Sequence, residues 1–278
     1  MKILSAPTRS SIALLAISGA GLVAAFVLGP AALLRERYPR FDNESALSAA
    51  LGESMTVFWQ NGSGSLPSGL AELSDYWFRW HAIKIVISAL LIVVLGLLAA
   101  SLWKLFLGKR IGRRYASIGY AVAAMSATVL ALFSVVLLVL NIQATAVPLV
   151  ALLPLLPGEH ADGALTQTLL QIARAVDEPG SPQADSPALL TLLEQISRYY
   201  WTMIVEATAL SAAFGASSIV AYRRYVAARA ADLPRRRFMY AFLCAAAMVT
   251  TFAMVLLLGA AVGAVADPAA ALRNSLGI

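Results

Sequence analysis

Lys84 and Glu206 are ionisable residues set inside otherwise apolar runs. Charge within a membrane-length apolar stretch is costly and by default marks a functional site. Counted from the aromatic residue heading each run, Lys84 lies four positions inside Trp80 and Glu206 five inside Trp201. At the rise of a helix these depths are about 6 and 7.5 Å. His81, Lys84 and Ser88 fall on one helical face, and Arg198, Thr202 and Glu206 on another. An ammonium and a carboxylate at similar depth lower each other's desolvation cost when they meet. The spacing therefore predicts an outward-facing polar pocket that binds a small or lipid-like ligand, anionic in character, or relays a proton. The competing expectation is that Lys84 snorkels to the interface and that Glu206 pairs with it or with Arg198 to fix packing. The shallow depth favours this second, structural expectation.

Other candidate chemistry is sparse. His81 and His160 are the two histidines, and imidazoles can ligate haem or a metal ion. His160 stands in the loop PGEHADG with no second histidine at ligand spacing, so neither a cofactor nor a metal is expected. The sequence contains no GxSxG, Walker A, HExxH, CxxC or dinucleotide fingerprint. The expectation is a non-enzyme.

The elements that must position these residues follow from composition. Hydrophobic residues make up 60% of the 278 and charged residues 13%, against about 25% charged in a soluble domain. Mean hydropathy is +0.76. The net charge of +6 is confined largely to two short basic segments between apolar runs, which membrane topology explains and nucleic-acid binding does not. A single cysteine, Cys244, excludes any intrachain disulfide. Arginine exceeds lysine and alanine abounds, which points to a GC-rich bacterial source.

The apolar runs predict an all-α bundle of five membrane helices, a single integral membrane domain, with spans near 11–34, 82–106, 117–141, 199–222 and 238–266. The run from Trp80 to Trp103 is about 34 Å of helix, a bilayer thickness between two aromatic belts. The first run also resembles a signal peptide, but exceeds the usual apolar core of about 7–15 residues, so a retained helix is expected. Segment 107–116 is basic, and 223–237 holds six arginines against Asp232. Segment 35–80 has four basic and six acidic residues, and 142–198 two basic and six acidic. The asymmetry predicts an N-in, C-out chain in the plasma membrane.

Within the outer segments, a short helix is expected at Ser45–Leu51 and an amphipathic one through Leu165, Leu169, Ile172 and Val176. Residues 146–157 (AVPLVALLPLLP) are apolar but broken by three prolines, so they are expected to lie at the membrane surface or dip into it as irregular backbone. A gapless shift of 123 residues overlays 74–140 on 197–263, with matches such as Tyr76/Tyr199, Arg113/Arg236 and Met125/Met248. That arrangement suggests a weak parallel repeat. Small-residue stripes (Gly119, Ala123, Ala127, Ala131; Ala207, Ser211, Gly215; Gly259 and Gly263) suit close helix approach. The functional expectation is an accessory or scaffold subunit that meets membrane lipids and a protein partner or its own copy; the alternative is a carrier or binder at Lys84 and Glu206.

Overall fold

The computed structural model describes residues 8–41, 43–108, 114–156, 163–178, 180 and 183–277. Among them the chain is all-helical. Five helices are long and apolar enough to cross a membrane: α1 (Arg9–Leu34), α3 (Ser68–Leu107), α4 (Arg114–Ala146), α7 (Pro187–Ala230) and α8 (Pro234–Ala266). Four shorter helices join them: α2 (Glu44–Asn61), α5 (Pro148–Leu152), α6 (Gly163–Asp177) and α9 (Pro268–Leu276). His160, Pro157 and the basic residues Lys109, Arg110 and Arg113 lie outside the described residues.

Local chemistry sets the helix ends. Prolines open α5, α7, α8 and α9, where a missing N–H costs nothing and φ is already helical. Asn43 caps α2 by accepting from the Ala46 N–H at 2.8 Å. Gly62 ends it at φ 62°, a left-handed turn that favours glycine. Asp267 caps α9 in the same way, accepting from the Ala270 N–H at 2.9 Å. Pro148 forces Val147 out of helical geometry, to φ −138° and ψ 75°, and so stops α4.

Several helices run past their apolar segments. α3 has 40 residues, about 60 Å, twice the thickness of a bilayer core. Its first turns, before residue 82, bury Leu70, Leu73 and Tyr76 in protein. α2 is longer than the expected Ser45–Leu51 helix, and α9 was not anticipated. α6 lies where the apolar spacing placed it.

The chain packs as two compact units. The first comprises Met1–Leu28, Lys84–Val139 and Ala207–Leu256. Its buried cluster mixes small residues (Ala99, Ala121, Ala124, Ala127) with Leu102, Trp103, Phe106 and Met239. Trp103 donates its indole N–H to Thr128 Oγ1 at 3.2 Å, and Thr128 donates to the Ala124 carbonyl at 2.8 Å. Arg235 donates to the carbonyls of Phe106 and Gly108, at 3.3 and 3.0 Å, and so closes the open end of α3. Large apolar side chains face outward: Leu97, Val129, Phe133, Val249 and Phe252 are all more than half exposed.

The second unit comprises Gly29–Ile83, Leu140–Glu206 and Leu257–Ile278. Its largest fully buried side chains include Phe58, Met55, Leu73, Leu152, Ile172 and Ile196. α2 packs on α6 through Gly52, where a Cβ would come within 2.9 Å of Leu165. Trp59 donates to Gln171 Oε1 across the same contact at 3.0 Å. Ion pairs Arg40–Glu72, Arg79–Asp75 and Arg273–Asp177 rim this unit.

Segment 146–156 differs from expectation. It folds as α5 and a 3-10 turn, Leu153–Leu155, and Val147, Leu149, Val150, Leu152, Leu153 and Leu156 are buried in the second unit. The prolines do break the helix, but the apolar side chains find protein, and Ser48 donates to the freed Leu155 carbonyl at 2.9 Å.

Helix starts recur at a nearly constant spacing: α3 and α7 begin 119 residues apart, and α5 and α9 begin 120 apart. In this register Trp80 matches Tyr199, Trp103 matches Tyr222 and Pro148 matches Pro268. Buried positions match as well, Leu70 with Leu189, Leu73 with Leu192, and Ala127 with Ala247. α1 has no counterpart.

Candidate functional site

The sequence nominates six side chains, and the structure gives each distinct surroundings. In the first unit, the Lys84 ammonium lies over the ring of Phe26, 4.8 Å from its centroid, a cation–π arrangement that softens the cost of desolvation. Ser88 in the same unit is fully buried, and its hydroxyl has no hydrogen-bond partner among the described residues.

In the second unit, His81 donates from Nδ1 to the Trp77 carbonyl at 2.9 Å and packs on the Trp77 ring at 4.7 Å. Thr202 donates to the Arg198 carbonyl at 3.0 Å, a back-bond to its own helix. Arg198 itself is exposed. It forms no ion pair with Glu206 among the described residues, so helical spacing alone does not bring these two together.

Glu206 is the unusual group. Both carboxyl oxygens are buried, and among the described residues neither completes a hydrogen bond of ordinary geometry. Across from it on α4 is Gln143, only 1% exposed. Tyr199, two turns before Glu206 on α7, donates its hydroxyl to Gln143 Oε1 at 3.4 Å. The carboxamide lies beside the Glu206 carboxyl, yet Gln143 Nε2 also completes no bond of ordinary geometry. A carboxyl, an amide donor and a phenol thus converge with hydrogen-bonding capacity unspent.

Buried polar groups are nearly always paired, because an unpaired one costs about 1–3 kcal/mol. Such a cluster is chemically equipped to hold a water or a small polar group, taking a donor at Glu206 and offering one from Gln143. No nucleophile with an activating base accompanies it among these residues. Gln143 and Tyr199 were missed in the sequence. Tyr199 stands beside Tyr200 and Trp201 at the head of an apolar run, and Gln143 sits in the last turns of α4, next to an apolar stretch that hides it.

No protein-family model matches this chain, and no curated protein or solved structure proved similar to it. Fold and site geometry define it as an all-helical protein with five helices suited to a membrane.

Proposed function

We propose that the chain is a multi-pass protein of the plasma membrane, N-in and C-out, that works by assembly rather than catalysis: an accessory or scaffold subunit, or a homo-oligomer. One observation carries this: on α8, Gly259 and Gly263 are exposed, and a Cβ built on either meets nothing within 4 Å. A Gly-x-x-x-Gly face left open by the chain's own helices lets a second helix approach backbone to backbone. By contrast, Ala207 on α7 is fully buried, and the α7 glycine Gly215 already faces Thr251. The α7 stripe therefore serves packing within the chain. Residues 44–152 and 163–272 would be parallel repeats, with α1 added to them.

Native mass spectrometry of the protein released gently from its own membrane tests this. A second polypeptide in fixed ratio, or a dimer, is expected, and Gly259→Ile with Gly263→Ile should reduce it at least tenfold without unfolding the chain. A bare monomer, or an assembly indifferent to both substitutions, would contradict the proposal.

A second reading draws support from the Glu206 carboxyl and Gln143 Nε2, which complete no hydrogen bond of ordinary geometry among the described residues: a binder of a small ligand in this part of the chain, with Lys84, His81, Ser88, Thr202 and Arg198 as the further candidates the sequence names. A retained small molecule lost in Glu206→Gln, with Lys84→Met as the parallel test, would favour it.

A further inference from the structure

The second unit contains a cavity of about 550 Å³, within the usual 300–1,000 Å³ range of small-ligand sites. Its wall is aromatic, formed by Phe41, Tyr76, Trp77 and Trp80. Two opposite charges line it, Arg35 just beyond the end of α1 and Glu44 at the start of α2. Apolar residues, Ala31 and Leu155 among them, complete the lining.

Three features make this a built site. The aromatic wall is held rigidly, since Tyr76 stacks edge-on or tilted with Tyr38, Phe41 and Trp80 at centroid distances of 5.3, 5.1 and 5.7 Å. Rings of the same cluster already attract cations: Arg37 lies 5.7 Å over Tyr38, and Arg40 5.9 Å over Phe41. Finally, the cavity needs α1, the helix without a counterpart elsewhere in the chain. In the 119-residue register Tyr76 and Trp77 correspond to Gln195 and Ile196, so the second half lacks this wall.

We infer that the cavity binds the head of a zwitterionic phospholipid. An ammonium fits between the Glu44 carboxylate and the aromatic faces, while the phosphate suits the planar guanidinium of Arg35. The first methylenes of the lipid then lie along Ala31 and Leu155. The position agrees with this: Arg35 follows the apolar run of α1, and Trp80 heads that of α3, where headgroups reside. The inference rests on the membrane reading above, not on the assembly reading.

The test uses the full chain in nanodiscs containing equal amounts of phosphatidylethanolamine and phosphatidylglycerol. After transfer to a delipidating detergent, native mass spectrometry counts the lipids that remain. One phosphatidylethanolamine per chain is expected, at least tenfold over phosphatidylglycerol. Arg35→Ala and Glu44→Gln should each reduce retention about tenfold, as should Ala31→Trp, which fills the cavity and leaves both charges. Glu53→Gln, outside this cavity, should not. Circular dichroism melts verify that every variant is folded. Equal retention of the two lipids, preference for phosphatidylglycerol, or retention unchanged by Arg35→Ala and Ala31→Trp would overturn the inference. Extraction of the wild-type chain by alkaline carbonate would overturn the membrane reading with it, whereas a carbonate-resistant chain that retains no lipid defeats this inference alone.

Discussion

The two units of this chain bury different mixtures of side chain. The second unit packs Phe58, Met55, Leu152, Ile172 and Ile196 fully inside and keeps ion pairs such as Arg79–Asp75 at its edge. The first makes half of its buried cluster from Ala99, Ala121, Ala124 and Ala127, beside Leu102, Trp103, Phe106 and Met239, and exposes valines, leucines and phenylalanines. Water drives large apolar groups inward. Lipid does not, so a membrane bundle closes on small residues and lets large ones face the tails. The two burial patterns are those expected of two solvents under the membrane reading, and α3 is divided between the units at Ile83 and Lys84.

The largest expected effect breaks the comparison directly. Phe58→Ala should cost the second unit about 3–5 kcal/mol, read as a lowered thermal midpoint in detergent. Val129→Ala, on the outward face of the first unit, should stay within about 0.5 kcal/mol. Equal losses would mean that both units fold by the same rule.

A charge sharpens the same contrast. Val249, 69% exposed in the first unit, should not tolerate arginine: Val249→Arg carries an insertion cost of about 2.5–3.5 kcal/mol and should cut the yield of membrane-integrated protein. Leu170, 51% exposed on α6, should accept Leu170→Arg with unchanged yield.

The long apolar runs, the aromatic heads and the amphipathic spacing of α6 were legible in the sequence because they are local patterns. The second unit's core was not. Leu149, Val150, Leu152 and Leu153 look membrane-like in sequence, and only their burial in one cluster with residues of α2, α6 and α9 marks them as protein core. Of the candidate residues, Glu206 stood out because charge is rare in such a run. Its neighbours Gln143 and Tyr199 did not, since pairing across helices leaves no mark on spacing.

The smallest expected effect concerns that cluster. With no hydrogen bond of ordinary geometry to lose among the described residues, Glu206→Met should leave thermal stability unchanged or raise it by about 1 kcal/mol. A loss of several degrees in the midpoint would mean that the carboxyl is paired when the protein sits in its own membrane.

Accessibility of single cysteines in proteoliposomes tests the two-solvent account most directly. In a Cys244→Ala background, Val57→Cys on α2 and Leu170→Cys on α6 should react with a membrane-impermeant maleimide added to one side, and both to the same side. Val129→Cys and Val249→Cys, though no less exposed on the protein surface, should react only after detergent dissolves the bilayer. Labelling of all four in intact liposomes would contradict the account, because it would place both units in water.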